Sequence, residues 1–64
     1  PLISDDYRAR VLAALGPAPI DIDEIGRGLG LPVRTVRLIL VELDLAGRIE
    51  HHGRQLVSLR VAQD

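Results

Sequence analysis

The 64-residue sequence predicts one mainly α-helical domain, in which a three-helix core is closed by a small β-hairpin. Two changes of pattern predict this fold class. Up to Gly47 the apolar residues recur every three to four positions, as in amphipathic helices, and after it they alternate with polar residues, as in half-buried strands. Glycine and proline divide the helical part into three segments, at Gly16-Pro17 and at Gly30-Leu31-Pro32.

The first helix is predicted over residues 5–15. Ser4 can cap it, and two aspartates place negative charge in its first turn, where the positive end of the helix dipole favours it. Its apolar stripe consists of Tyr7, Val11, Leu12, Ala14 and Leu15. We expect Gly16 to end the helix in the left-handed conformation, with Pro17 preventing its continuation. Residues 1–4 are assigned to the end of a linker.

The second helix is predicted to begin near Ile22, after a stub at residues 18–20 that can add a short rung to a sheet. Asp21 and Glu24 have the spacing of a capping box. Gly26 lies inside this helix, where glycine costs roughly 1 kcal/mol relative to alanine. We therefore expect it to allow close packing against a neighbouring element. The predicted buried stripe is Ile22, Ile25 and Leu29.

The third helix is predicted over residues 33–46 and is the longest and most regular element. Pro32 suits the start of a helix, and Gly47 ends this one. On a helical wheel one set of apolar residues falls on the face toward the core, namely Val33, Val36, Ile39, Leu40 and Leu43.

Residues 48–52 and 55–61 are predicted to be the two strands of a hairpin, with Gly53-Arg54 in its turn. Polar Ser58 alternates with buried apolar neighbours in the second strand. Three helices with a short turn between the second and third, followed by a hairpin, constitute a winged helix-turn-helix. The predicted domain covers residues 5–61, and residues 62–64 are expected to fray.

Composition excludes several classes of protein. There is no cysteine, so disulfides and cysteine-based zinc sites are impossible, which fits a reducing cytoplasm. No apolar stretch approaches the ~20 residues that span a bilayer, so we expect no membrane partner. The chain starts at Pro1 and contains no methionine, so we expect it to be a piece of a longer protein or a processed product.

We expect no enzymatic activity, cofactor or metal. The few hydroxyl groups and the two histidines are not spaced as a nucleophile and its base. The glycines of residues 26–30 lie in and after a helix, whereas a phosphate-binding loop joins a strand to a helix. His51 and His52 are adjacent in a predicted strand, so their side chains point to opposite faces and cannot easily share one ion.

Charge is divided unevenly along the chain. Residues 1–26 carry two arginines and five carboxylates, a net charge of −3, whereas residues 27–60 carry six arginines and three carboxylates, a net charge of +3. Early residues of the second helix in a helix-turn-helix face the DNA major groove. The candidate DNA-binding residues are Arg34, Thr35 and Arg37 on the third helix, and Arg48, His51 and Arg54 on the hairpin.

So small a basic excess predicts weak, salt-sensitive contact with phosphates rather than strong DNA binding. The alternative is that these arginines only solvate the surface. A second candidate surface lies on the outward side of the third helix, where Leu38, Val41 and Leu45 form an apolar stripe. Such a stripe suits a parent domain, another protein or self-association. It is also compatible with a core that curves far enough to bury part of it.

Two segments carry a family resemblance. Val11–Ile25 contains the sequence GPAPIDIDEI, and Val36–Glu50 contains ELDLAGRIE. Together, over about residues 8–60, they resemble the C-terminal winged-helix domain of the DNA-processing family DprA, or Smf.

The resemblance implies a bacterial parent protein with an upstream Rossmann-like domain that binds single-stranded DNA and loads the recombinase RecA in natural transformation. It therefore implies that the main DNA site lies outside this chain, and that the domain has an accessory role. A further alternative is the DNA-reading domain of a transcription regulator, which would require a palindromic site and a dimer.

Overall fold

The computed structural model describes residues 3–60. Within this range the elements follow one another as α1 (Asp5–Ala14), β1 (Ile20–Asp21), α2 (Ile22–Leu29), α3 (Val33–Leu45), β2 (Ile49–His52) and β3 (Leu56–Leu59). The prediction of a three-helix core with a small hairpin is confirmed. We call the β2–β3 hairpin, including its turn, the wing. Val61 and the expected frayed end at residues 62–64 lie outside the described residues.

α1 begins as predicted and ends differently. The Ser4 hydroxyl accepts a hydrogen bond from the Tyr7 N–H at 3.1 Å, which confirms the cap. The helix ends at Ala14, and the next residue, Leu15, is extended. Gly16 does not adopt the left-handed conformation, so the prediction that it caps the helix is wrong. The extended exit lets Leu15 bury its side chain and lets the Gly16 carbonyl accept a hydrogen bond from the Leu59 N–H at 2.8 Å.

The domain also begins earlier than expected. Ile3 packs against the core, and Ser4 belongs to the cap of α1. These two residues are therefore part of the folded domain rather than the linker to which residues 1–4 were assigned.

α2 begins and ends as its sequence predicts. Asp21 accepts hydrogen bonds from the backbone N–H groups of Asp23 at 2.8 Å and Glu24 at 3.3 Å, which stabilises the first turn. At the other end Gly30 has a φ of +69°, a conformation that glycine adopts without the strain a Cβ would cause. This glycine turns the chain sharply toward α3.

The turn between α2 and α3 packs closely against Gly26. A Cβ at this position would lie 3.0 Å from the Leu31 carbonyl oxygen and 3.7 Å from a methyl group of Val36. The expected close packing at Gly26 is therefore confirmed. Leu31 itself is buried, so the turn contributes a core residue that periodicity did not identify.

The buried face of α3 is rotated relative to the prediction. Val36, Ile39 and Leu40 are buried as expected, but Val33 is exposed and the Thr35 side chain is only 2% exposed. The reason is that α1, α2 and β2 all pack against α3, so the covered arc extends around the helix as far as Thr35. The predicted core position of Val33 is wrong.

The three strands form one antiparallel sheet in the order β1-β3-β2. Ile20 pairs with Val57, which confirms the predicted short rung, and Ile49 pairs with Leu59 at the base of the wing. Ser58 is buried although it lies on the polar side of β3, because its hydroxyl is 2.8 Å from His52 Nε2. Glu50, His52 and Leu56 on the same side remain exposed, so only Ser58 is covered there.

In the described residues 3–60 the fully buried apolar residues are all aliphatic, and the half-buried Tyr7 packs against them. The buried members of the core are Val11, Leu15, Ile22, Ile25, Leu31, Val36, Ile39, Leu40, Ile49 and Val57. Between residues 3 and 60, no helix combines the length and the apolar character needed to cross a bilayer.

Candidate nucleic-acid interface

A hydrogen bond joins the N-terminal half of α3 to the turn of the wing. The Arg37 guanidinium donates from Nη2 to Gln55 Oε1 at 2.7 Å. Gln55 follows Arg54 in the turn between β2 and β3. The tertiary fold thus brings two predicted DNA-binding arginines, 17 positions apart in the sequence, to one edge of the domain.

The Gln55 side chain also contacts two carboxylates. Its Nε2 donates to Asp21 Oδ1 at 3.4 Å and to Asp23 Oδ2 at 3.1 Å. The amide therefore lies between an arginine and an acidic helix start, with each end facing the charge that it suits. The nearby carboxylates reduce the positive potential around Arg37. Sequence reasoning missed Gln55 because its partners lie 18 to 34 residues away.

Arg34 lies in the first turn of α3 and is exposed. Within residues 3–60, none of Arg34, Arg37 and Arg54 forms an ion pair with a carboxylate. Their charges are therefore not neutralised by a direct carboxylate partner in this part of the chain. We call Arg34, Arg37 and Arg54 the arginine edge.

Thr35 does not belong to this edge. It was predicted to face the major groove with its neighbours, but its side chain is buried against the core. The prediction of Thr35 as a DNA-contacting side chain is wrong, because the covered arc of α3 includes it.

Arg48 is separated from the arginine edge. It precedes β2 at the base of the wing, where its carbonyl accepts a hydrogen bond from the Arg60 N–H at 2.9 Å. β2, the strand of four residues between Arg48 and the wing turn, spans about 13 Å at 3.3 Å per residue. The structure therefore does not bring Arg48 together with the arginines at the wing turn.

The two histidines have different surroundings. His51 lines a groove beside Arg37 and Val41, and its Nε2 is 4.0 Å from Asp44 Oδ2. His52 contacts Ser58 on the other side of the sheet. The expectation that the adjacent histidines face apart is confirmed. In the part of the chain that the structure describes, no three histidine, aspartate or glutamate side chains cluster as metal ligands do.

The outward face of α3 beyond Arg34 is aliphatic. Leu38, Val41 and Leu45 are 41%, 55% and 84% exposed, so the three-helix core does not curve far enough to bury them. We call these residues the α3 stripe. A side chain that reads a base edge by hydrogen bonds is polar, and the α3 stripe has none.

An ion pair between α1 and α3 lies beside the α3 stripe. Arg8 of α1 donates to Glu42 of α3 with Nε at 2.7 Å and Nη2 at 3.1 Å. The two hydrogen bonds stabilise the ionised carboxylate and lower the pKa of Glu42 below its ordinary value. Arg8 was not a predicted site residue, and its partner is 34 positions away.

We expect the Arg8→Gln substitution to raise the pKa of Glu42 toward its ordinary range. Because folding lowers this pKa, the contribution of the ion pair to stability is complete above the pKa of the unfolded chain and is lost as the pH falls through the folded value. A carboxyl ¹³C NMR titration measures the change. The Arg10→Gln variant, which alters a neighbouring arginine of α1 instead, should leave the titration of Glu42 unchanged. An equal change in both variants would contradict the assignment.

The chain matches one known family. The family model described as the DprA winged helix domain matches residues 1–53, which include α1 to β2. Arg54, Gln55 and β3 lie beyond the matched range. Among curated proteins, none matches the chain.

Proposed function

Because the chain belongs to the family of DprA winged helix domains, we propose that it is a non-catalytic accessory module of a DNA-processing protein. In this proposal the parent protein handles incoming DNA in natural transformation and loads a recombinase. The module adds weak, phosphate-directed contact to DNA. The observation that carries this proposal is the hydrogen bond from Arg37 to Gln55, which joins α3 to the wing turn and so assembles the arginine edge.

The chemistry of the arginine edge favours phosphates over bases. Arginine side chains neutralise phosphates, and each contact contributes a slope of about −0.9 to the dependence of log affinity on log salt. Pro32 offers no side chain to cap α3, so backbone N–H groups beside Arg34 are available to a phosphate oxygen. Asp21 and Asp23 oppose this attraction. The balance between the attraction of the arginines and the repulsion of these aspartates supports a dissociation constant for DNA on the order of 10⁻⁴ M, in the range of non-specific binding.

These features do not favour a transcription regulator. Sequence readout requires polar side chains that reach base edges along the helix in the major groove. On α3 only Arg34 and Arg37 in its N-terminal half offer them, since the α3 stripe occupies the outward face farther along the helix. The cytoplasmic location expected from composition agrees with a role on DNA.

We expect the double substitution Arg34→Gln and Arg54→Gln to weaken DNA binding about tenfold at low salt and to reduce the salt slope by about 2. Both side chains are exposed, so the fold should be retained. Fluorescence anisotropy of N-terminally labelled protein, titrated with unlabelled single- and double-stranded oligonucleotides over about 50 to 200 mM salt, measures both quantities. Protein at low micromolar concentration suffices if the DNA concentration is varied.

The matched control is the double substitution Arg48→Gln and Arg60→Gln, which removes the same two charges at the base of the wing. It should change affinity by no more than about twofold, as expected for a general loss of charge screened by salt. Equal weakening by the two double variants would refute a localised arginine edge, and so would the absence of DNA binding by the unmodified chain.

A second candidate function is protein docking. The specific observation in its favour is the exposure of the three aliphatic side chains of the α3 stripe, in a domain whose other aliphatic residues mostly form the core. The candidate partners are the upstream Rossmann-like domain of the parent chain, another protein or a second copy of this domain.

A further inference from the structure

We propose that the α3 stripe binds the α3 stripe of a second copy, with the two helices antiparallel. The proposal rests on the second candidate function and does not depend on DNA contact. It commits to one partner because the pattern of charge along α3 is complementary to itself.

The spacing of the α3 stripe is that of a helix-pairing seam. The seam consists of the α3 stripe and, one turn before it, Arg34. Its positions 34, 38, 41 and 45 are four, three and four residues apart, which is the alternation of positions d and a in a heptad. Such a seam lies in one line along the outward side of a helix and packs against an equivalent seam. α3 uses its opposite side for the core, so both sides of this helix carry apolar residues.

Charges beside the seam change sign along the helix. Arg37 and Asp44 lie on the same flank, one heptad apart, with the basic residue near the N-terminus and the acidic one near the C-terminus. When two such helices run antiparallel, Arg37 of each copy lies opposite Asp44 of the other. The two helix dipoles also oppose each other in this arrangement, which is the favourable one.

The other flank carries Glu42, which would approach Glu42 of the second copy. This repulsion is reduced because Arg8 of the same chain binds each Glu42 with two hydrogen bonds. A parallel arrangement would instead pair Arg37 with Glu42 of the second copy. That acceptor is already occupied by Arg8, whereas within residues 3–60 the Asp44 carboxylate has only a histidine nitrogen at 4.0 Å. The antiparallel arrangement therefore uses Asp44, which has fewer contacts than Glu42.

A shallow groove lies on the same flank as Arg37 and Asp44. It has a volume of about 200 Å³ and is lined by Ile22, Arg37, Leu40, Val41 and His51. Its floor is aliphatic and its rim carries the guanidinium of Arg37 and the imidazole of His51. This rim suits an approaching carboxylate such as Asp44 of the second copy.

The expected affinity is low. The surface that three aliphatic side chains can bury is far smaller than the ~800 Å² that each partner buries in a stable complex. We therefore expect a dissociation constant for self-association of about 0.1–1 mM. Because the pairing would cover Arg34 and Arg37, DNA and the second copy compete for α3. At micromolar protein the domain is monomeric, so DNA binding can be measured separately from self-association.

The test is self-association of the complete 64-residue chain without DNA, followed by ¹H–¹⁵N NMR and sedimentation equilibrium at about 0.05–2 mM protein. We expect concentration-dependent shifts centred on Leu38, Val41 and Leu45. The substitution Leu45→Gln, at the most exposed position of the stripe, should weaken association about tenfold without unfolding the domain.

A charge exchange tests the antiparallel register. Arg37→Glu and Asp44→Arg each place like charges opposite one another, so each variant alone should associate about fivefold more weakly. An equimolar mixture of the two variants restores both opposite-charge pairs, so it should associate as strongly as the unmodified chain. Circular dichroism verifies that each variant is folded. If Arg37→Glu is not folded, Leu45→Gln carries the test.

Three results would overturn the proposal. One is the absence of any concentration dependence up to about 2 mM protein, well above the expected dissociation constant. Another is a set of shifts on a different surface. The third is a mixture of the charge variants that associates no better than either variant alone. Loss of DNA binding, by contrast, would refute only the arginine edge.

Discussion

Replacing Leu40 with alanine is expected to unfold most of the protein at 25 °C, whereas the same replacement at Leu45 should leave its stability nearly unchanged. The two leucines lie on the same helix, but Leu40 is 2% exposed and Leu45 is 84% exposed. Removing a buried leucine side chain costs about 2–5 kcal/mol, including the cavity that remains. A core of this size rarely supplies more than about 3–5 kcal/mol in total, so the loss is comparable to the whole free energy of unfolding.

Urea denaturation monitored by circular dichroism measures both free energies of unfolding. The Leu45→Ala variant should remain within about 0.5 kcal/mol of the unmodified chain, as is usual for exposed positions. Similar losses at the two positions would mean that the α3 stripe is covered in the folded monomer, and would contradict its proposed role as a docking surface. The measurement should be made at micromolar protein, where self-association does not contribute.

Gly26→Ala and Gly28→Ala are expected to change stability in opposite directions, although both residues lie in α2. A Cβ at Gly26 would be 3.0 Å from the Leu31 carbonyl oxygen, which is backbone and cannot move aside without disturbing the turn. Overpacking of this kind costs about 1–3 kcal/mol and outweighs the gain in helix propensity of up to about 1 kcal/mol. We expect a net loss of about 1–2 kcal/mol at Gly26.

At Gly28 a Cβ would meet no atom within 4 Å, so the gain in helix propensity should appear undiminished. The Gly28→Ala variant is therefore expected to be up to about 1 kcal/mol more stable. Each kcal/mol corresponds to a shift of about 4–8 °C in the melting temperature of so small a domain, which thermal denaturation resolves easily. Stabilisation by alanine at both positions would show that the turn is not closely packed against α2.

Local sequence patterns predicted most of the fold correctly. Ser4 and Asp21 cap the helices that they were expected to cap, because a cap involves residues only two or three positions apart. The change of period after Gly47 correctly located the wing. The errors at Gly16 and Thr35 have a common cause, since each depends on a distant element, β3 in one case and the helices that enclose α3 in the other.

The candidate site was only partly predictable. Exposed arginines could be named from their positions on α3 and on the wing, and the hydrogen bond from Arg37 to Gln55 brings α3 close to the turn that carries Arg54. The predicted hairpin already implied that Arg48, at the start of its first strand, lies far from Arg54 in its turn, although the two arginines were named together as DNA-binding candidates. The exposure of the α3 stripe was left open by periodicity, because a helical wheel shows where a residue points but not how far the neighbouring elements extend.

The sequence by itself determined where the helices and strands lie and which family the domain resembles, because capping, turn chemistry and apolar period act over a few neighbouring residues. Only the tertiary structure decided which surface is available to a partner. Arg37 reaches Gln55 across 18 positions and Arg8 reaches Glu42 across 34. Contacts over such separations depend on how the packed elements are oriented, and the spacing of residues within one element does not specify that orientation.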